Sequence, residues 1–142
     1  MRFDAVGSRV EPVNMCASIR VAMACLAGWA AAAWGQSARP GWGAVPYADG
    51  SETGVAFRVW APEASSVTVA GTFNGWSMTA TPLVKESVTS GVWSADVAPA
   101  RPGDEYKYVM NGALWRSDPR SRWIDSQGHG NSPVTATNGF EW

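Results

Sequence analysis

The sequence predicts an all-β fold, an immunoglobulin-like β-sandwich of about seven short strands, behind a cleavable export segment. Three observations carry that expectation. Apolar residues alternate with a period of two along residues 55–60, 67–70, 92–97 and 105–110, and no stretch of the expected folded part shows a helical period. Gly, Pro and Asn-Gly signals punctuate these runs at spacings of about 8–15 residues. Tryptophan is abundant, nine in 142 residues, which suits core filling in a small β domain, exposed rings against flat ligand faces, or both.

Taken in order, the chain opens on a segment unlike the rest. Residues 21–34 form a 14-residue apolar run preceded by Arg20. That is short of the about 18–20 residues that span a bilayer, but it suits the hydrophobic region of a secretory signal. Small residues follow, so a signal peptide over residues 1–35 is expected, with cleavage after Ala33 or Gly35. Asp4 and Glu11 dilute Arg2 and Arg9 upstream, and Met15 offers an alternative start. Both cysteines, Cys16 and Cys25, lie in this segment, so the remainder has no thiol for a disulfide or a metal. His129 is the lone histidine and reads as a loop residue, and no metal or cofactor is expected.

Removal of residues 1–35 leaves eight basic and ten acidic residues, a net charge of −2. That balance carries no footprint for nucleic acid or anionic lipid, and no membrane association is expected after cleavage. The expected location is secreted or periplasmic.

Residues 36–53 are rich in Gly, Pro, Ser and Ala and read as a lead-in without period, with Trp42 and Tyr47 laid across the sheet edge. The sandwich is expected over residues 54–137. Val55, Phe57 and Val59 alternate with Ala56, Arg58 and Trp60, and Pro62 ends the strand because it has no N–H for the ladder. Trp60 and Trp93 sit within strands and are assigned to the core. Val67 and Val69 begin a second strand, and Phe73-Asn74-Gly75-Trp76 is a tight turn in which Asn-Gly supplies positive φ.

A short strand is expected near residues 83–86 and a clear one over 92–97, closed by Pro99. Tyr106, Tyr108 and Met110 share one face of the next strand, and Glu105, Lys107 and Val109 the other, which holds Lys107 on the sheet surface. Asn111-Gly112 then turns a hairpin into Ala113, Leu114 and Trp115. Asp118 before Pro119 reads as a turn-capping side chain, and residues 133–136 as a last short strand.

Four motifs now stand in order: Phe-Arg-Val-Trp-Ala-Pro, Val-Thr-Val-Ala-Gly-Thr-Phe-Asn-Gly-Trp, Tyr-Lys-Tyr-Val-Met-Asn-Gly and Trp-Arg-Ser-Asp-Pro. Together they resemble the N-terminal early-set domain of family 13 glycoside hydrolases, the branching, debranching and α-amylase-like enzymes. They are similar also to the family 48 carbohydrate-binding modules. The likeness covers about residues 43–134, and it rests on the order and spacing of all four motifs.

The resemblance implies an α-1,4-glucan site built from two tryptophans, a lysine and an asparagine. By motif these are Trp76, Lys107, Trp115 and Asn131, with Ser132 the alternative for the last. Indole rings would stack on apolar sugar faces. Lys107 would donate charge-assisted hydrogen bonds, and the Asn131 amide would match a hydroxyl's dual character.

Glycoside hydrolysis needs two carboxyl groups about 5–10 Å apart across a cleft, and the acids here are scattered over strands and turns. A family 13 barrel needs about 250 residues, which this chain does not contain. No catalytic residue is therefore assigned to it. Residues 138–142 resemble the join into such a barrel. The chain reads as the N-terminal part or module of a secreted glycoside hydrolase, its partner a barrel in the same chain or a separate one. A free-standing glucan-binding protein and a domain that binds no sugar and packs on the barrel are the other readings.

Overall fold

In a computed structural model, residues 35–124 and 130–136 are described. The expected signal peptide (Gly35 apart), His129 and the expected join at residues 138–142 lie outside them. Among the described residues, eight strands form two antiparallel sheets. One sheet is ordered β1 (Gly43–Asp49), β2 (Glu52–Trp60), β5 (Val92–Val97), β4 (Val84–Lys85). The other is ordered β3 (Val67–Gly71), β6 (Glu105–Met110), β7 (Leu114–Arg116), with β8 (Ser132–Pro133) also paired to β6.

The alternation produces the sandwich. Val55, Phe57 and Val59 of β2 and Ala95 and Val97 of β5 face Val67 and Val69 of β3 and Tyr106 and Tyr108 of β6. The Phe57 ring meets Tyr106 edge-on at 4.9 Å between centroids, a favoured aromatic geometry. Trp93 joins this core as expected, and its indole N–H donates to the Ala61 carbonyl at 3.0 Å.

Three expectations are corrected. Residues 43–49, expected to be aperiodic lead-in, are the edge strand β1, paired along its whole length with β2. An edge strand covers one face and tolerates Pro46, so neither its pattern nor its composition signals a strand. Trp60 is not core: it ends β2 on the outer face and is 63% exposed. The Phe73–Trp76 turn takes positive φ from Gly75 of the Asn-Gly pair (64°), as expected, but shares it with Trp76 (60°) and not with Asn74, which closes the short 3₁₀ turn Thr72–Asn74.

Arg58, on the outer face of β2, fastens the segment before β1. It donates to the carbonyls of Ser37 (3.0 Å), Arg39 (2.6 Å) and Gly41 (2.7 Å) and to the Glu86 carboxylate (2.6 Å). A planar guanidinium with donors fanned around it suits that task, and a lysine would not. Burial works against the charge on Glu86, but hydrogen bonds from Arg58 and Ser94 hold its carboxyl below the usual range.

Candidate functional site

The outer face of the β3–β6–β7 sheet carries an open depression of about 590 Å³, lined by Trp76, Glu105, Lys107, Trp115 and Asn131. The four residues expected from the motifs thus share one surface, and Glu105 joins them. Ser132, the alternative to Asn131, is fully buried, and its hydroxyl accepts from the Asp118 N–H at 3.0 Å.

Each side chain is delivered by a local cause. Trp76 sits in the left-handed region, where a bulky residue pays a conformational penalty of about 1–2 kcal/mol. Asn74 holds the turn against that penalty. Its Oδ1 accepts from Gly71 N–H (2.9 Å), its Nδ2 donates to the Val69 carbonyl (2.9 Å) and the Thr81 hydroxyl (3.0 Å), and Trp76 N–H returns to the Gly71 carbonyl (2.8 Å).

Trp115 comes from the edge strand β7, opposite Val109. The hairpin before it turns through Asn111 (φ 54°) and Gly112 (φ 70°), as Asn-Gly predicts. Asn111 also anchors the turn, accepting from the backbone N–H groups of Ser65 (2.8 Å) and Ser66 (3.3 Å). The indoles of Trp76 and Trp115 lie 6.4 Å apart between centroids and are tilted by 44°. They form a shallow angled pair, not a flat shelf.

The polar side of the depression follows from register. β7 pairs with residues 108–110 of β6, and β8 pairs with Glu105 and Tyr106. The chain leaves the sheet after Arg116 and returns at Ser132, so Lys107 lies opposite a break between two short strands. Asn131, just before the return, leans to the β8 side of the break, and its Nδ2 donates to Glu105 Oε2 at 2.8 Å. Ser117 closes the base of the excursion by donating its hydroxyl to the Gly130 carbonyl.

Glu105 was not among the sequence candidates. The available signal was its position two residues before Lys107 on one strand face, but an acidic residue on an outer sheet face ordinarily reads as solvated.

Behind the site lies a buried carboxylate. Asp118 is 3% exposed, accepts from the Tyr106 hydroxyl through Oδ2 and from Arg120 N–H (2.7 Å) through Oδ1. The turn-capping role expected for it holds, and the Tyr106 contact ties that turn to the core. Burial raises its pKa, opposed by the hydrogen bonds from Tyr106 and Arg120.

A second groove, of about 290 Å³, lies beside the other sheet between Trp42, Trp60, Pro119 and Arg120. Among the described residues, no three or more His, Cys, Asp or Glu side chains converge as a metal's ligands would.

Residues 42–124 match the carbohydrate-binding module 48 family (isoamylase N-terminal domain). The chain belongs to this family. It is 34% identical over 104 residues to the 1,4-alpha-glucan branching enzyme GlgB of Halothermothrix orenii, covering 70% of this chain and 16% of that enzyme. The GlgB of Nitratidesulfovibrio vulgaris is 42% identical over 87 residues, 58% of this chain and 13% of the enzyme. A solved candidate alpha amylase of Salmonella typhimurium is 25% identical, with a TM-score of 0.56, over 73% of this chain and 16% of that one. The module therefore spans under a fifth of these relatives. These matches bear out the early-set likeness and the immunoglobulin-like sandwich.

Proposed function

We propose that this carbohydrate-binding module 48 chain binds α-1,4-linked glucan on the Trp76–Trp115 surface, as the N-terminal accessory part of a secreted or periplasmic family 13 enzyme. The observation that carries the reading is the angled pair of indoles, 6.4 Å apart and tilted by 44°, beside Lys107 and Asn131. Successive glucosyl rings of an α-1,4 chain turn along a helix, so their apolar faces meet two tilted rings better than two coplanar ones. A β-1,4 chain offers a flat ribbon and would touch one ring at a time. Lys107 supplies donors and Asn131 both donors and an acceptor for the hydroxyls at the rim.

The branching enzymes that the module resembles are named for 1,4-alpha-glucan, which supports the same ligand class. The apolar run of residues 21–34 supports export. A second reading has its own observation: Trp42 and Trp60, 45% and 63% exposed beside a groove, suit a domain that packs on a catalytic barrel without binding sugar.

Calorimetric titration of the chain with maltoheptaose and β-cyclodextrin, beside cellohexaose, separates the two. Saturable binding of the α-linked sugars is expected, with cellohexaose at least tenfold weaker. Trp76→Ala and Trp115→Ala should each lose tenfold or more, about 1.4 kcal/mol. A folded parent chain that gives no heat at millimolar maltoheptaose would remove the glucan reading and leave the packing one.

A further inference from the structure

Glu105 stands among the residues of the depression without an assigned role, and three features of its surroundings define one. Its backbone is locked: its N–H donates to the Thr72 hydroxyl at 3.3 Å, it pairs with Pro133 of β8, and any side chain at Gly71 would collide with its carbonyl oxygen. Its carboxylate takes the Asn131 Nδ2 at 2.8 Å. It shares the outer face of β6 with Lys107, two residues on.

An ionised carboxylate accepts and cannot donate, so it fixes which end of the Asn131 amide it faces. The nitrogen must point to Glu105, and Oδ1 must point away from it. Asn131 is thereby held as a directed acceptor instead of rotating freely between two orientations. Lys107, two residues on along the same face, lines the same depression, and the Asn131 acceptor suits a sugar hydroxyl that donates. A sulfate, phosphate or uronate group has no proton to give the acceptor and meets a like charge there.

Resting on the glucan reading above, we infer that Glu105 is the selectivity residue of this site: it orients Asn131 for hydroxyl recognition and restricts the platform to uncharged glucans. The two parts of that role separate chemically. Glutamine keeps a carbonyl oxygen that can accept from Asn131 but removes the charge, and alanine removes both.

The test titrates the parent chain, Glu105→Gln, Glu105→Ala, Asn131→Ala and the double alanine variant with two probes. One is β-cyclodextrin; the other is β-cyclodextrin carrying a sulfate on every 6-hydroxyl, so that any bound ring presents an anion. The parent should favour the neutral ring. Glu105→Gln should shift the ratio of the two Kd values about tenfold or more towards the sulfated ring, roughly one unit in log Kd. Glu105→Ala should show the same shift and also weaken neutral binding about as much as Asn131→Ala, and the double variant should be no weaker than either, because coupled residues are not additive.

An unchanged preference in Glu105→Gln, or additive losses in the double variant, would overturn the inference while leaving glucan binding intact, provided that the parent binds and Trp76→Ala does not. A parent that binds neither ring would overturn the inference and the glucan reading together.

Discussion

Two tyrosines of one strand face the same core and should respond differently to losing a hydroxyl. Tyr106 donates to the buried Asp118 carboxylate, so Tyr106→Phe strips a buried charge of a donor and should cost about 1–3 kcal/mol in denaturant unfolding. The buried Tyr108 hydroxyl lies near the same carboxylate but makes no well-formed hydrogen bond among the described residues, so Tyr108→Phe should cost less than Tyr106→Phe. Asp118 itself makes stability depend on pH. Its folded pKa is raised by burial, so its contribution is complete below the ordinary carboxylate value of about 3.9 and is lost as pH rises through the raised value. Asp118→Asn lacks that loss. The difference in Tm between Asp118→Asn and the parent should therefore move in favour of the variant as pH rises above the ordinary carboxylate value of about 3.9; a constant difference would contradict the upward shift.

Among the elements, the turn between β3 and the rest of the chain matters most for the site. Asn74 lines no part of the depression, yet its amide makes three hydrogen bonds that hold Trp76 in a left-handed conformation. Asn74→Ala should cost about 1–3 kcal/mol of stability and should also weaken maltoheptaose binding, read by calorimetry at a temperature where the variant remains folded. Retained affinity would mean that the turn holds Trp76 by other means. This element also shows how sequence can mislead locally. Asn-Gly announced the turn correctly, but the asparagine spends its side chain on the backbone and leaves positive φ to Gly75 and Trp76.

The central strands were legible because their core-facing residues recur with a period of two in residues 92–97 and 105–110, even though Ser94 and Val109 on the other faces are also buried. β1 was not, because an edge strand that holds Pro46 carries no such pattern. Trp60 was misplaced because its apolar composition was read as core, although its parity with Ala56 and Arg58 puts it on the outer face of β2. Of the candidate site, Trp76, Lys107 and Trp115 were reachable from motifs within single hairpins or turns. Asn131 needed the order of motifs along the chain, since its approach to Glu105 spans 26 positions, and Glu105 needed the structure.

For the molecule as a whole, the depression is built by strands already paired to the core, so sugar should bind a preformed surface and stabilise the entire sandwich. At one hundred times its Kd, maltoheptaose should add about 2.7 kcal/mol, seen as a rise in Tm that Trp76→Ala abolishes. No rise in the parent at saturating sugar would show that the folded and unfolded chains bind alike.

The break opposite Lys107 has a consequence for how such a surface can diverge. β7 and β8 are separate, short attachments to β6, and Ser117 and Gly130 tie the stem of the excursion between them. The polar side of the depression thus hangs on Asn131, at the point where the chain returns to β6, while the aromatic side is fixed by other elements, so exchanging that one residue should retune sugar preference without disturbing any strand pairing.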